Sequence, residues 1–212
     1  MNFSTDRDLL AYEPTLFNDV PFVAQQRVSV ADADVTGTTV FSITADFVAA
    51  QIGPGSVVLI DRRPFEVVTR IDEATLTVSL PRTVTSDPPI PGGDGTALSL
   101  IARTFAPQAA LVREALLRML GIDASDPDST LDEESVVSLG AMARLEAQGT
   151  LERVYSSAAA LTGNNEHHLL KAGEYRKRFL RSAAQSAIQI DTNADGLPDE
   201  KRYLGLMRMT RG

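Results

Sequence analysis

The hydrophobic positions change their period along the chain and divide it into a short helical start, a strand-rich stretch and a helical half. Thr5 precedes a short amphipathic run over residues 6–12, and Pro14 ends that run because proline cannot continue a helix. From about Val23 to Thr104, short apolar runs alternate with polar residues at a period of two, which predicts β-strands. Beyond Thr104 the apolar residues return at helical spacing.

The strand-rich stretch predicts a barrel. Its short strands are separated by turns rich in glycine, proline and aspartate, and they cover residues 28–30, 40–43, 57–60, 65–68, 76–80 and 97–101. Strands of this length and spacing are typical of a small closed, or nearly closed, antiparallel barrel. Residues 86–95 contain three prolines and three glycines. We therefore predict a loop there, either flexible or held by a partner.

The helical half predicts three helices. The first begins near Phe105 and ends at Gly121, a natural helix-terminating residue. The second opens at a capping box, Thr130 with Glu133, and the third runs from about Glu166 to Ile190. Gly140 and Gly149 lie within the second helix, where glycine predicts a kink or a close contact with another helix.

These elements together predict an α+β fold. We expect a helical bundle of about four helices, built from residues 1–20 and 105–190. A small antiparallel β-barrel-like module, residues 21–104, is inserted into this bundle. Residues 191–212 form a C-terminal extension that contacts a partner.

The composition and charge of the chain exclude several kinds of site and argue against several classes of protein. The chain has 212 residues and no cysteine, which excludes disulfides, thiolate metal sites and cysteine nucleophiles. The first residues have no basic region followed by an apolar one, and no apolar run is long enough to span a bilayer. We therefore expect a soluble or peripheral protein with no membrane contact and no secretory leader. A net charge of −8 argues against general nucleic-acid binding.

The charge is distributed unevenly along the sequence. Residues 166–212 hold nine basic and six acidic residues, which leaves eleven basic and twenty-two acidic residues in the rest of the chain. The body therefore carries −11 and the tail +3. Such asymmetry favours contacts between identical subunits, or docking of the basic end on an acidic partner, although a merely solvated helix face gives the same pattern.

An acidic turn near the C-terminus is the sharpest local motif. Asp191, Asn193 and Asp195 occupy the first, third and fifth positions of a potential calcium loop, with Gly196 at the sixth and Asp199 at the ninth. The twelfth position, where a bidentate carboxylate belongs, is Arg202. Calcium is therefore the one cofactor that the sequence allows. The alternative is an Asx-rich turn without a cation.

No constellation for catalysis is recognisable. His167 and His168 are adjacent on a helix and point about 100° apart, so they cannot chelate one ion from a single face. The sequence contains no nucleophile motif, phosphate-binding glycine loop or zinc-protease motif. We therefore predict no catalytic residues and expect that the protein is not an enzyme.

The order of elements resembles that of a known family. The chain has a short capped N-terminal helix with the stretch DLLAYEP at residues 8–14, then a β-insertion, three further helices and a basic stretch at residues 174–179 (EYRKRF). This order is similar to that of the head-to-tail connectors of tailed bacteriophages. This family is also called adaptor or head completion proteins. The resemblance covers residues 4–14 and 105–190 better than it covers the β-module, which is larger than the minimal version of the family.

The resemblance implies a structural role in the neck of a virion. Such a protein forms a ring, typically a dodecamer, that joins the portal protein to the next stopper or tail protein and extends the DNA channel. DNA is then only non-specific cargo. The portal-binding candidates that follow from it are Lys171, Arg178, Arg181, Tyr203, Leu204, Arg208 and Arg211.

Two other functions stay open from the sequence. One is a stopper or tail-completion protein of the same neck, in which the β-module is the main interaction module. The other is a calcium-dependent binding module that uses Asp191, Asn193, Asp195 and Asp199.

Overall fold

A computed structural model of the chain describes residues 2–123 and 131–204. These residues form two compact units. Residues 5–107 make up one, the barrel unit, and residues 1–4 together with 108–212 make up the other, the helical unit. The predicted capping residue Thr130 lies outside the described residues.

The barrel unit consists of two short helices followed by six strands. The helices are α1 (Asp6–Tyr12) and α2 (Leu16–Asp19). The strands are β1 (Gln25–Thr36), β2 (Thr39–Phe41), β3 (Val57–Ile60), β4 (Arg63–Arg70), β5 (Thr75–Ser79) and β6 (Gly95–Thr104). All neighbouring strands are antiparallel, and they close into a barrel in the order β1-β2-β5-β4-β3-β6.

The barrel interior follows from the alternation of side chains along each strand. Every second residue points inward, which buries pairs such as Leu76 and Val78 of β5 and leaves Thr75 and Thr77 half-buried. The β3–β4 hairpin pairs Ile60 with Arg63, and Asp61 and Arg62 form its two-residue turn with positive φ. The interior cluster contains Ala33, Val35, Val40, Phe47, Phe65, Val67, Leu76, Val78, Leu100 and Ala102.

The helical unit contains three longer helices and a β-hairpin. The helices are α3 (Ala106–Met119), whose first residues belong to the barrel unit, α4 (Leu139–Leu161) and α5 (Glu166–Gln185). The hairpin strands are β7 (Ala187–Ile190) and β8 (Glu200–Tyr203). Its core includes Leu116, Leu120, Ile122, Met142, Leu145, Ile188 and Ile190.

The predicted architecture, a helical bundle of about four helices with an inserted small module, is wrong. The first helix belongs to the barrel unit, where the Arg7 backbone N–H donates to the Gly55 carbonyl at 3.0 Å. The barrel with its own helices accounts for about half of the chain. The fold is α+β and consists of two units, a closed six-stranded barrel with its own helices and a helical unit with a C-terminal hairpin.

The end of the third predicted helix explains part of this error. Ala187 and Ile190 lie three residues apart, so their spacing fits a helix. Ile188 and Ile190 are both buried while Gln189 is half-buried, which is the period of a strand. Helix α5 stops at Gln185, and Ser186 is extended.

Gly149 marks a close contact inside the helical unit, as one of the two alternatives predicted for this glycine. A Cβ atom built on Gly149 would lie 2.7 Å from Cγ1 of Val112 in α3 and 3.4 Å from the Phe179 ring in α5. Hydrogen is therefore the only substituent that lets these three helices pack here. Gly140 is different, because a Cβ atom there meets nothing within 4 Å.

Candidate partner-binding surfaces

Helix α5 is fixed on the helical unit by a cap and by aromatic packing. The Asn165 side chain accepts a hydrogen bond from the His167 backbone N–H at 3.0 Å, which caps the helix. On the inward face, the Tyr175 ring stacks parallel to the buried Tyr155 ring of α4, with centroids 6.1 Å apart. His168 is also buried, with its ring 6.1 Å from that of Tyr155. This packing sets the rotation of α5 and decides which side chains face outward.

Lys171 and Arg178, two of the predicted portal contacts, lie on one flank of α5. The Lys171 Nζ atom lies 5.8 Å from the centroid of the Tyr155 ring. The Arg178 guanidinium carbon lies 5.4 Å from that of Tyr175, and Arg178 also forms an ion pair with Glu174. These cation–π contacts hold both charges at defined positions on the surface.

Arg181, a predicted portal contact, and two neighbouring cations that were not predicted as contacts make fewer interactions than Lys171 and Arg178. Arg176, Lys177 and Arg181 are exposed, and none of them has a hydrogen bond or ion pair within the described part of the chain. Leu169 is 48% exposed, because it lies about 100° around the helix from the buried His168.

The hairpin carries the next two predicted contacts. Tyr203 in β8 is exposed, whereas Leu204 is half-buried and packs against the core of the helical unit. Strand β8 pairs with β7 alone among the strands in the described ranges, so its outer edge has backbone groups available for a further strand. Arg208 and Arg211 lie outside the described residues.

Arg202 anchors the hairpin to the end of α3. Its guanidinium donates hydrogen bonds to the Leu120 carbonyl oxygen and to the Glu200 carboxylate, the latter at 2.8 Å. The residue at the twelfth position of the potential calcium loop is therefore a structural cross-link.

The acidic turn between β7 and β8 is a network of Asx hydrogen bonds. The Asp191 carboxylate accepts from the backbone N–H groups of Asn193, Ala194 and Gly196 at 3.1, 2.7 and 2.6 Å. Further along, the Asp195 carboxylate accepts from the Leu197 backbone N–H at 2.8 Å. This is the Asx-rich arrangement that the sequence allowed.

Asp199 closes the turn. Its carboxylate accepts from the backbone N–H and the hydroxyl of Thr192, at 2.9 and 3.0 Å. Within the described ranges, no group of three or more histidine, aspartate or glutamate side chains is arranged to hold a metal ion. Calcium binding by this turn stays one of the two alternatives that the sequence left open.

The electrostatics of the turn depend on Asp191. Burial raises the pKa of the Asp191 carboxyl, but the backbone N–H groups of Gly196, Asn193 and Ala194 outweigh that effect and lower it below its ordinary value. The carboxylate is therefore ionised at neutral pH and holds the turn together.

A buried ion cluster in the barrel unit was not predicted from the sequence. Glu66 of β4 is fully buried and forms ion pairs with both Arg7 and Arg82. Arg7 also donates to the Arg82 carbonyl oxygen at 2.8 Å, and Arg82 donates to the Asp87 carbonyl oxygen. The cluster thus ties α1 and the start of the proline-rich loop to the barrel wall.

The proline-rich loop, residues 86–95, is held by its own barrel. The Leu80 N–H donates to the Ile90 carbonyl at 2.9 Å, and Arg63 donates to the Gly92 carbonyl at 2.8 Å. Gly92 lies against the Phe65 ring, where a Cβ atom would come within 2.1 Å of a ring carbon. The loop needs no external partner to be ordered.

A second buried carboxylate was also missed. Glu146 of α4 accepts hydrogen bonds from the Phe3 N–H at 3.0 Å, the Ser4 N–H at 2.9 Å and the Ser4 hydroxyl at 2.7 Å. Burial raises the pKa of the Glu146 carboxyl, and the hydrogen bonds from Ser4 and Phe3 and the charge of Arg113 offset only part of this. Glu146 therefore fastens the N-terminal residues to α4.

No protein-family model, curated protein sequence or solved structure matches this chain. Among the described residues, no helix combines the length and apolar character needed to cross a membrane.

Proposed function

We propose that this protein is a structural adaptor of a tailed-phage neck. In this role, copies of the chain form a ring that joins the portal protein to the next stopper or tail protein and extends the DNA channel. The proposal places the protein in the virion, at the head–tail interface, and assigns it no catalytic role.

The outer surface of the helical unit carries the proposal. Arg181 on α5 has no partner within the described ranges, and Lys171 and Arg178 are held at the surface over tyrosine rings. Just beyond α5, the hairpin presents the exposed Tyr203 and an open strand edge. Ordered cations beside an exposed aromatic ring and an open strand edge are features of a protein-binding surface.

The charge distribution supports a channel protein more than a nucleic-acid binder. Residues 1–165 carry −11, and residues 166–212 carry +3. An acidic wall repels phosphate and lets DNA slide, because binding would need an excess of cations facing the duplex. The basic end is then free to dock on an acidic portal surface.

The test is native mass spectrometry of the purified chain with the portal ring of the same phage. We expect the portal mass to rise by a whole ring of copies. The double variant Lys171→Glu/Arg181→Glu is expected to bind at least tenfold more weakly, because it opposes charges at the portal surface.

The matched control is Arg118→Glu/Arg153→Glu, which makes the same change in net charge at two exposed positions on α3 and α4. This control should bind like the parent. Absence of any portal complex with the parent chain at micromolar concentration contradicts the proposal. Equal loss of binding in both double variants shows an effect of net charge alone and contradicts the assigned surface.

A further inference from the structure

One end of the barrel unit is a rim made of two segments that are hydrogen-bonded to each other. The first segment is residues 41–48, and the second is the turn between β4 and β5, residues 71–74. The Ser42 N–H donates to the Ala74 carbonyl at 3.0 Å, and the Phe47 N–H donates to the Glu73 carbonyl at 2.7 Å. The two segments are therefore direct neighbours on the barrel unit.

This rim exposes large apolar side chains. Ile43 is 79% exposed and Ile71 is 60% exposed, and Phe41 and Val48 are exposed as well. Single exposed apolar residues need no explanation. Four of them on two bonded segments form a patch of the kind that marks an interaction site.

The same rim is acidic. Asp46, Asp72 and Glu73 lie on the same two segments, and Asp32 is hydrogen-bonded to the first of them. We call these four acidic residues, with Phe41, Ile43, Val48 and Ile71, the acidic rim. The Asp32 carboxylate accepts from the Ser42 hydroxyl at 2.7 Å and the Thr44 hydroxyl at 2.8 Å. These bonds fix the position of the carboxylate.

Hydrogen bonds also keep the rim charged. The Ser42 hydroxyl holds the pKa of the Asp32 carboxyl below its ordinary value, and the Ala74 backbone N–H does the same for Asp72. The nearby cation Arg70 is turned to the backbone, where it donates to the Ile52 carbonyl at 2.8 Å. The rim therefore presents net negative charge around an apolar centre.

Helix α5 has a surface of the opposite character. Residues 169, 173, 176 and 180 share one face because they are spaced four, three and four residues apart. We call Leu169, Gly173, Arg176, Lys177 and Leu180 the basic flank. Leu169 is 48% and Leu180 is 57% exposed, and Arg176 and Lys177 have no partner within the described part of the chain.

The basic flank is concave at Gly173. A depression of about 430 Å³ lies there, lined by Leu169, Leu170, Gly173 and Lys177 together with His167, Lys171 and Glu174. A Cβ atom on Gly173 would meet nothing within 4 Å, so the glycine leaves room for a side chain from outside. An isoleucine of the rim is of suitable size and chemistry to enter this depression.

We infer that the acidic rim of one copy binds the basic flank of a second copy of this chain. Leucines of the flank would cover Ile43 and Ile71, while Arg176 and Lys177 would pair with Asp72 and Glu73. The inference deepens the proposed function, since it rests on the ring and names the subunit contact within it. Because the two surfaces differ, the contact is heterologous and repeats from copy to copy.

The charge complementarity decides in favour of a second copy as the occupant. Both surfaces are present on every chain. Each has an apolar centre, and the negative charge of the rim is opposite to the positive charge of the flank. Arg178 lies about 180° around α5 from Leu169, so the contact leaves this proposed portal residue accessible, whereas Lys171 also lines the depression at Gly173.

Cross-linking between single-cysteine chains tests the contact, because the native chain has no cysteine. We would mix an Ile43→Cys chain with an isotopically labelled Leu169→Cys chain, with and without portal, and add a bismaleimide. The contact predicts a mixed dimer of one chain of each mass. Both positions are exposed, so neither substitution opens a core.

The matched control replaces Ile43→Cys with Val84→Cys, which is also exposed in the barrel unit but lies outside the rim. This pair should give few mixed dimers. Equal yields from both pairs, or no mixed dimer in either condition, overturn the inference.

The outcome for the contact is separable from that for the proposed function. Portal binding without the rim–flank cross-link contradicts the inference and leaves the adaptor function standing. The cross-link without portal binding supports the contact and contradicts the adaptor function.

Charge reversal gives an independent measurement. Arg176→Glu/Lys177→Glu and Asp72→Lys/Glu73→Lys are each expected to lower the mixed-dimer yield at least fivefold by like-charge repulsion across the contact. The mixed-dimer yield should be restored when the Leu169→Cys chain carries Arg176→Glu/Lys177→Glu and the Ile43→Cys chain carries Asp72→Lys/Glu73→Lys. No restoration, with both chains folded by circular dichroism, contradicts a direct pairing of these charges.

Discussion

The barrel unit and the helical unit differ in how they satisfy their polar groups. In the barrel unit every strand is paired on both sides, and Glu66 is buried between two arginines. In the helical unit the cations of α5 face outward, and the hairpin leaves a strand edge open. The pairing within the barrel unit stabilises that unit by itself. In the helical unit, the cations and the backbone groups of the open strand edge are available to bind a partner. The apolar acidic rim is the exception on the barrel.

The largest expected effect is the loss of the buried ion cluster. Glu66→Ala leaves Arg7 and Arg82 without their carboxylate, and Arg82 is almost fully buried. We expect the free energy of unfolding to fall by about 3–5 kcal/mol, which is typical when one partner of a buried pair is removed. Urea denaturation measures this change.

Glu174→Ala is the matched control from the helical unit. It removes an exposed pair with Arg178, and such pairs contribute only about 0.5 kcal/mol. A loss of similar size in both variants contradicts the contrast between the two units.

Substitutions of two glycines in the helical unit should have the next largest effects on stability. Gly149→Ala places a Cβ atom 2.7 Å from Val112, and we expect a loss of about 1–3 kcal/mol from overpacking. Gly173→Ala has no such contact, so it should gain up to about 1 kcal/mol from helix propensity. Thermal unfolding of both variants is the measurement. A stabilised Gly149→Ala chain is incompatible with the three-helix contact.

Asp6 in the barrel unit and Asp191 in the helical unit should contribute pH responses of opposite sign. Burial raises the pKa of the Asp6 carboxyl in the barrel unit to about 6. Because the folded chain then binds a proton more tightly than the unfolded chain, stability rises as pH falls from about 7 toward 4. We expect about 2 kcal/mol from this group over that pH range, and Asp6→Asn should remove it.

Asp191 in the helical unit has a lowered pKa. Its contribution is present above the unfolded pKa and is lost as pH falls through the lower folded value. Amide exchange of each unit between pH 3 and 7, in the parent chain, Asp6→Asn and Asp191→Asn, measures both effects. If Asp6→Asn and the parent chain show the same pH profile, the predicted contribution of Asp6 is contradicted.

Calcium is expected to have the smallest effect. Since Asp191 and Asp199 already accept several hydrogen bonds within the turn, we expect no heat in a calorimetric titration to millimolar calcium. Heat that disappears in Asp191→Ala and Asp195→Ala would instead establish the turn as a calcium site.

Local sequence patterns predicted many of the barrel strands, but they did not predict how the chain is divided into a barrel unit and a helical unit. The pairing of residues 57–60 with the strand that follows them could be read from two apolar runs and a turn. The position of α1 could not, because it depends on contacts between Arg7 and residues far along the sequence. Nothing local distinguishes this helix from one that packs on a bundle.

The candidate site shows the same limit. The basic character of α5 is visible in the sequence, and so are Lys171, Arg178 and Arg181. Which cations are held by tyrosine rings depends on the rotation of α5, which the stacking of Tyr175 on Tyr155 sets. The acidic rim was missed because its two segments are distant in sequence and meet only through backbone hydrogen bonds.

Hydrogen–deuterium exchange of the chain, alone and with the portal ring, tests the central claim most directly. The adaptor account predicts that portal binding protects α5 and the β7–β8 hairpin, and that Lys171→Glu/Arg181→Glu reduces this protection. Protection confined to barrel loops, with α5 and the hairpin unchanged, would contradict the account and favour a stopper whose barrel contacts the portal.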